Sequence, residues 1–409
     1  MSGVPPAPTG SGTDDIHEAI RIAQGARTKP RLALAVVVII AVTVVTVGWF
    51  AGWFAPTTPI VTPQTCAGQV ELTGAGATDV SPVMRAWSAE YNTSVCAKVL
   101  YSGTGSGIAD LASKNVDFAV TDAPLNSTQS SALGAGSLAL PVALEATVVV
   151  YHVPGVLAPL HLSGALLASI FLGDITNWNN SAIQAVNPTI QLPSNLAITP
   201  IYCSAGCGTS LVFTGYLSRS NATWNATVGT SISPAWPAGV GVPNGSAVVD
   251  AVNTTLGGVG YAALPLAQQA GLPWAGLQNP SGSFVAPSAV NTTAAAAAAN
   301  PLGISETGTP SNQSLVDEPG STTYPMATQS YVIVYHDIGI AYNGAVTRNA
   351  AQWLGAYILW ISTAAQSRGT LLGYAPLPPA LLTWNSEVIE TLLYYGLSVL
   401  SGGDADGGL

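Results

Sequence analysis

The sequence is poor in charge and above all in bases: Lys and Arg number 10 among 409 residues, against 20 Asp and Glu. A nucleic-acid-binding protein needs a basic face, which a chain of net charge −10 does not supply. Disordered chains combine low hydrophobicity with high charge, whereas this one is 48% hydrophobic and 7% charged. Histidine is also scarce, with four in the chain, and no H-E-x-x-H, G-x-S-x-G or metal-ligand cluster is present. The sequence therefore indicates neither an enzyme, nor a metal site, nor a bound cofactor.

One long uncharged run, Leu32 to Ala55, is present near the N-terminus. It is long enough to cross a bilayer of about 30 Å as a helix. Four bases precede it: Arg21, Arg27, Lys29 and Arg31. Because basic residues stay in the cytoplasm, we expect 1–31 to be a cytoplasmic tail and 32–55 a single-pass anchor in the cell membrane. A cleaved signal peptide is the alternative, but the run exceeds a usual signal core and no A-x-A-like site ends it.

The part that follows the anchor has the features of an exported domain. Residues 56–65 form a Pro/Thr linker, and all four cysteines lie beyond it, at Cys66, Cys96, Cys203 and Cys207. An even number of cysteines outside the cell suggests disulfides. Asn-x-Ser/Thr triplets fit an extracellular glycoprotein; they begin at Asn92, Asn126, Asn179, Asn221, Asn225, Asn244, Asn253, Asn291 and Asn312.

Strand and helix signals alternate from Val70 onward, a pattern typical of a parallel α/β sheet. Strands are predicted at Val70–Thr73, Val95–Tyr101, Val116–Val120, Thr147–His152, Ala197–Tyr202 and Ser330–Tyr335. Helices are predicted at Ser81–Tyr91, Thr209–Leu217, Ala351–Ala365 and Ser386–Leu400, and Gln278–Tyr324 is predicted to be a loop. The pattern is interrupted and then resumes, which indicates two lobes, one of them built from both ends of the exported part.

Three loops have the same local design: a strand ends, small residues follow, and a helix begins. They are Thr73–Asp79 (TGAGATD), Ser102–Gly107 (SGTGSG) and Cys203–Ser210 (CSAGCGTS). Backbone N–H groups at a helix N-terminus favour an anion, and small residues let it approach the main chain. In a chain with so few bases, three such loops predict that backbone dipoles bind an oxyanion.

Six stretches are recognisable, and they occur in a fixed order: LTGAGAT (Leu72–Thr78), YSGTGSG with VDFAVTDAPL (Tyr101–Leu125), IFLGDITNWNNSAIQAVNP (Ile170–Pro188), GTSLVFTGYLS (Gly208–Ser218), GGVGYA (Gly257–Ala262) and GYAPLP (Gly373–Pro378). Over about residues 67–396 the chain resembles the phosphate-binding protein of phosphate ABC importers. The resemblance implies a two-lobed, type II periplasmic-binding-protein-like α/β fold with a two-stranded hinge and the ligand in the cleft. We expect lobe 1 at 66–143 and 326–400, lobe 2 at 144–325, and a flexible tail at 401–409.

The resemblance also implies the residues of a phosphate site. Thr78 would donate its hydroxyl, Asp79 its backbone N–H, and Ser106 its hydroxyl and N–H. Asp122 would accept a hydrogen bond from the phosphate O–H, which a sulfate lacks. The third loop would contribute Cys207, Gly208 and Thr209.

That third loop departs from the family pattern, Arg-x-Asp-Gly-Ser-Gly-Thr, because Cys203 replaces the Arg, Ala205 the Asp and Cys207 the Ser. Charge-assisted bonds from a guanidinium are worth about 1.5–3 kcal/mol each, so phosphate is expected to bind at least tenfold more weakly or to be replaced by another oxyanion. A Cys203–Cys207 disulfide would stiffen the loop. A second disulfide, Cys66–Cys96, is expected between residues that precede two neighbouring strands.

The sequence thus predicts an extracytoplasmic solute-binding protein that captures phosphate or a related oxyanion for an ABC importer. The resemblance implies its partners: two membrane subunits of a permease and their cytoplasmic ATPase. The alternative is a family member with lost or altered ligand binding that serves as a surface sensor or as a structural component of the envelope.

Overall fold

The computed structural model describes residues 70–400 apart from 96, 124, 135, 157 and 300–313. The predicted tail 1–31, anchor 32–55, linker 56–65 and C-terminal tail 401–409 lie outside the described residues, as do Cys66 and Cys96. Within the described ranges, no helix combines the length and the apolar composition that crossing a bilayer requires.

The described chain alternates strands and helices. The strands are β1 (Val70–Gly76), β2 (Ala97–Ser102), β3 (Phe118–Thr121), β4 (Ser137–Tyr151), β5 (His161–Leu162), β6 (Thr199–Cys203), β7 (Val240–Val242), β8 (Gly258–Ala263), β9 (Gly276–Gln278), β10 (Phe284–Val285), β11 (Ala327–Tyr335), β12 (Leu393–Tyr394) and β13 (Leu397–Ser398). The helices are α1 (Ser81–Ser94), α2 (Gly107–Ala112), α3 (Ser127–Leu133), α4 (Gly164–Leu172), α5 (Ser181–Val186), α6 (Gly208–Ser220), α7 (Ala222–Thr227), α8 (Gly245–Thr254), α9 (Leu264–Ala270), α10 (Ala289–Ala298), α11 (Ile338–Ala341), α12 (Arg348–Ser362), α13 (Gln366–Gly369) and α14 (Pro379–Glu390).

Eight strands pair in the order β2-β1-β3-β11-β4-β8-β6-β7. The two ends of this order are parallel, since β1 pairs in parallel with β2 and β3, and β6 with β7 and β8. In the middle, β11 and β4 are antiparallel to each other and to their outer neighbours β3 and β8. The sheet is therefore mixed, with two parallel units joined by an antiparallel pair.

Strand β4 passes through both parts of the molecule. Its residues from Ser137 to Ala146 pair with β11, and those from Thr147 to Tyr151 pair with β8. All but the first of its 15 residues are buried, which is the environment that its run of Val, Leu and Ala favours. The two-stranded connection that the resemblance implies is thus formed by β4 and β11.

Two hydrophobic cores lie on either side of this connection. One contains residues from both ends of the described chain, between Leu72 and Ala143 and between Tyr331 and Val399. The other contains residues between Ala146 and Met326. The expected two-lobed α/β architecture is confirmed, while the domain limits given above remain predictions.

Helix starts fall into two groups. Many helices are capped by a neutral side chain that accepts a backbone N–H bond, such as Asn126 for α3, Ser163 for α4 and Asn244 for α8. The helices that follow the three predicted loops, α1, α2 and α6, have no side-chain cap. The same holds for α9, α13 and α14. In α1 the N–H of Ser81 donates to the carbonyl of Thr78 at 3.1 Å, and in α6 that of Ser210 donates to Cys207 at 3.0 Å. At the start of α6 the N–H groups of Gly208 and Thr209 are therefore left for water or for a ligand.

Candidate functional site

A cleft of about 440 Å³ lies where these uncapped helices begin. Its walls come from the loop after β1, the loop before α2, the end of β3, the start of α3, the loop between β6 and α6, and the start of α8. Five of the predicted site residues line it: Thr78, Asp79, Asp122, Cys207 and Gly208. Residues up to 130 positions apart in the sequence are thus brought to one cavity.

Two predicted site residues, Ser106 and Thr209, do not line this cleft. Ser106 lines a neighbouring, more open depression, and its hydroxyl donates to Asp110 Oδ2 at 2.6 Å and contacts Thr104 Oγ1 at 2.9 Å. Thr209 is behind the cleft wall and only 4% exposed, and its hydroxyl has no hydrogen-bond partner within the described structure. The Ser106 hydroxyl is thus hydrogen-bonded to nearby residues of its own segment, whereas the Thr209 hydroxyl is a buried donor without a partner among the described residues.

The loop between β6 and α6 is held at both ends. A disulfide joins Cys203, the last residue of β6, to Cys207, the residue before α6. The Tyr261 hydroxyl accepts the N–H of Cys203 at 3.2 Å and contacts the hydroxyl of Ser210 at 2.7 Å. The start of α6 is therefore fixed to β8, and its free N–H groups are preorganised.

Asp122 follows β3 and faces the start of α6. A Cβ added at Gly208 would lie 3.6 Å from Asp122 Cβ and 3.9 Å from Asp79 Oδ2, so both side chains approach this helix end. The hydroxyl of Ser330, on β11, donates to Asp122 Oδ1 at 2.6 Å. Burial raises the pKa of Asp122 to about 7, with a further rise from the charge of Asp79 and an opposing effect of the Ser330 bond.

Two more carboxyl groups are in the same electrostatic environment. Burial also raises the pKa of Asp79, although a hydrogen bond from Thr78 opposes the rise. Glu145, in the middle of β4, is 2% exposed, and burial raises its pKa well above the usual value, with additional contributions from Asp79 and Asp122. The three carboxyls form one acidic group, named here the carboxyl cluster.

Bases do not offset this cluster. The residues that line the cleft, all of them within the described chain, include no Lys, Arg or His. Lys98 pairs with Glu71 at 2.9 Å, Arg368 with Glu90 at 2.5 Å, and Arg219 donates to the carbonyl of Val316 at 2.5 Å. The described residues also contain no group of three or more His, Cys, Asp or Glu placed to hold a metal ion.

Sequence reasoning missed Glu145, Ser330 and the polar lining residues Asn126, Gln129 and Asn244. Glu145 had a visible signal, because it is the one charged residue in the apolar run from Leu138 to Tyr151. Ser330 had none, since its contact with Asp122 spans 208 residues and depends on the register of β11.

Known proteins of similar sequence and fold were compared with the chain. The sequence model of the PBP superfamily domain matches residues 61–363. The phosphate-binding protein PstS of Xylella fastidiosa is 33% identical over 341 residues, covering 81% of this chain and 89% of that protein. PstS of Pasteurella multocida is 32% identical over 326 residues, covering 78% and 90%. The crystal structure of an ancestral soluble variant of the human phosphate-binding protein has a TM-score of 0.59 at 18% identity, covering 81% of this chain and 97% of that one.

Proposed function

We propose that this chain, which belongs to the phosphate-binding proteins of the PBP superfamily, captures phosphate outside the cytoplasm and delivers it to an ABC importer. The observation that carries the proposal is the meeting of Thr78, Asp122 and Gly208 in one cleft. The family consists of solute-binding proteins, which are transport components without catalytic activity, so the chain is not an enzyme.

Backbone and hydroxyl donors would hold the oxyanion. The N-terminus of α6, a helix of 13 residues, opens at Gly208 without a side-chain cap and supplies N–H groups and a favourable dipole. The buried, unpartnered hydroxyl of Thr209 is the donor that a phosphate oxygen would satisfy. Ser106 would join only after its bond to Asp110 is exchanged for one to phosphate, as the lobes close on the ligand.

Asp122 would distinguish phosphate from sulfate. An ionised Asp122 accepts the proton that a phosphate monoanion or dianion carries, whereas sulfate carries none near neutral pH and leaves two negative charges facing each other. Ser330 fixes Oδ1 and leaves Oδ2 for this contact. Selection against sulfate thus depends on this one carboxyl.

The loop from Cys203 to Cys207 would partly replace the arginine of the family pattern. It brings no positive charge, so the affinity for phosphate is expected to be at least tenfold weaker than with a bidentate guanidinium. The disulfide and the Tyr261 contacts hold the donors of α6 in place, which reduces the entropy lost on binding.

Titration calorimetry of the full chain with phosphate, arsenate, molybdate and sulfate at pH 4 and pH 7 tests the proposal. We expect phosphate to bind with micromolar or tighter affinity, sulfate to be rejected at pH 7, and Asp122→Ala to lose at least tenfold in phosphate affinity. Asp250→Ala, an exposed carboxyl on α8, is the matched control and should bind as the parent does. Absence of oxyanion binding at both pH values would refute the assignment.

The finer parts of the proposal concern location and partners. We place the chain in the cell membrane through residues 32–55, with the cleft outside, next to a permease of two membrane subunits and its ATPase. Glycans would occupy exposed triplets such as those at Asn225 and Asn253. The side chains of Asn126 and Asn244 cap helices at the cleft, so they are not free to carry a glycan. The alternative of a sensor or envelope component is not favoured, because no feature of the site requires it.

A further inference from the structure

The carboxyl cluster places negative charge where the proposed ligand is itself an anion. Asp79 and Asp122 line the cleft at the start of α6, and Glu145 interacts electrostatically with both of them. Two ionised carboxylates beside a phosphate would repel it, and the repulsion is stronger where the dielectric constant is low. Something must neutralise this charge before an oxyanion can bind.

The resemblance assigns Glu145 no role in phosphate binding. Its carboxyl oxygen Oε1 also lacks a hydrogen bond, since it is buried and has no partner among the described residues. In the sheet, Glu145 pairs with Thr328 of β11. The next residue, Ala146, makes the last pair with β11, and from Thr147 onward β4 pairs with β8. In an ionised carboxylate Oε1 would have neither water nor a donor, which favours the neutral acid.

The surroundings provide no cation for this purpose. Two tyrosines are next to the cluster. The hydroxyl of Tyr374 donates to the carbonyl of Asp79 at 2.5 Å, and the three carboxyl charges add to the effect of burial in raising its pKa. The hydroxyl of Tyr101 donates to the carbonyl of Ala77 at 2.9 Å, and the charge of Asp122 likewise adds to burial in raising its pKa. Two neutral hydroxyl groups also contact the cluster: Ser330, on β11, bonds to Asp122, and Thr78, in the loop after β1, bonds to Asp79. Arg85 is exposed and acts on Tyr101 rather than on the cluster. Protons are therefore the positive charge available to these carboxyls.

We propose that the side chain of Asp79 is a further residue of the phosphate site, and that phosphate binds only when Asp79 and the buried Glu145 are both neutral acids, which takes the place of the missing arginine. The inference rests on the proposed function. It goes beyond it because Asp79 was assigned only a backbone N–H and Glu145 no role. Its chemical consequence is that phosphate capture takes up protons from the solvent and weakens as the medium becomes alkaline. The proton shared by Asp122 and phosphate is additional to these.

The test compares inorganic phosphate binding to the full chain from pH 5 to pH 8 in the parent, Asp79→Asn and Glu145→Gln. An amide donates an N–H at every pH, so each variant should keep its affinity at pH 8 better than the parent. We expect each variant to bind at least threefold tighter than the parent at pH 8 and within threefold of it at pH 5. Calorimetry at pH 7 in two buffers of different protonation enthalpy should show fewer protons taken up by either variant. The titration of phosphate itself is common to all three proteins and cancels in the comparison.

Asp117→Asn is the matched control. This carboxyl is half-buried with a pKa raised by burial, but it accepts from the Thr73 N–H at 2.7 Å and does not line the cleft. Its variant should keep the parent pH profile. If the parent binds phosphate and both cluster variants follow its profile, the inference is wrong and the proposed function stands. If the parent binds no oxyanion at any pH, both are wrong. Should Glu145→Gln fail to fold, Asp79→Asn, at the cleft wall, decides alone.

Discussion

Thr209 is the residue at which stability and binding are in conflict. Its hydroxyl is buried and unpartnered, which costs about 1–3 kcal/mol. The next residue, Ser210, has its hydroxyl 2.7 Å from that of Tyr261, and Thr214, one turn further, donates to the carbonyl of Ser210 at 2.7 Å. Among these three hydroxyl groups of α6, only that of Thr209 is left without a partner, and it is at the end that meets the cleft.

Thr209→Val should therefore separate the two properties. Valine keeps the shape and removes the unsatisfied hydroxyl, so the free energy of unfolding should stay the same or rise by about 1 kcal/mol. The Kd for phosphate should rise about tenfold, measured by calorimetry. In Thr214→Val, the control, a satisfied hydroxyl is lost, so stability should fall by about 1 kcal/mol while binding is kept. A Thr209→Val protein that is destabilised and binds normally would show that the hydroxyl has a structural role only.

Among individual residues, the sequence indicated those that belong to loops with a recognisable pattern. Thr78, Asp79 and Gly208 lie within short runs of small residues before helices, and the family resemblance of those runs assigned them to the site; all three line the cleft. Glu145 and Ser330 lie within strands, where only the pairing register decides which residues face the site. Register is a long-range property, so a single sequence does not reveal it.

Most elements were predicted at about their observed positions, but the C-terminal helix was misplaced. Instead of Ser386–Leu400, the helix α14 spans Pro379–Glu390, and β12 and β13 form a hairpin after it. The turn of this hairpin contains Tyr395 and Gly396 with φ of 51° and 75°. Their N–H groups donate to the carboxylate of Asp337 at 2.9 and 2.7 Å. A partner almost 60 residues away thus ends the helical pattern, which the local sequence does not show.

The Ala-rich stretch shows the opposite error. Gln278–Tyr324 was predicted to be a loop, yet Ala289–Ala298 forms the helix α10, with Ser288 as its side-chain cap. Alanine has the highest helix propensity, and Ser is a preferred cap, so the local signal was present. The buried Ala295 and Ala296 pack in a small third cluster with Leu144 and Leu377.

Gly208 and Gly107, the first residues of α6 and α2, form a matched pair that tests whether the start of α6 binds the anion. Gly208→Ala adds a methyl group at 3.6 Å or more from its nearest neighbours, so the fold should tolerate it, but the methyl faces Asp79 and Asp122 in the cleft. We expect stability within about 1 kcal/mol of the parent and at least a tenfold loss in phosphate affinity. Gly107→Ala would place its Cβ 2.1 Å from the carbonyl oxygen of Ala75, so this variant should be strongly destabilised. Thermal unfolding with calorimetry distinguishes the two, and normal binding by Gly208→Ala would contradict the proposed anion position.

For the described part of the molecule, burial decides how most of the perturbed carboxyl groups behave. Burial raises the pKa values of six carboxyls, at Asp79, Asp117, Asp122, Glu145, Asp317 and Glu318. Asp337, held by backbone N–H bonds, is the described carboxyl with a lowered pKa. In most proteins paired carboxylates favour folding at neutral pH, whereas here the folded chain favours protonated acids.

The empty protein should accordingly be more stable in acid. A group whose folded pKa is raised contributes stability that is fully present below its unfolded pKa, near 4, and is lost as pH rises through the folded pKa, about 7 for Asp122. We expect the Tm, measured by calorimetry without ligand, to be about 5 °C higher at pH 4.5 than at pH 7.5. Asp122→Asn should flatten this dependence. A Tm that rises from pH 4.5 to pH 7.5 would contradict the direction of these pKa shifts.

The discontinuous core has a consequence for the order of synthesis. The core between Ala146 and Met326 comes from one contiguous segment, so all of its residues are present once that segment has left the ribosome. The other core needs both Leu72 and Val399, so its first strands, including those that present Thr78 and Asp122, must wait for the segment from Tyr331 to Val399. The core beneath the wall that carries Gly208 can therefore form first, and the opposite wall is completed only after Val399 has been synthesised.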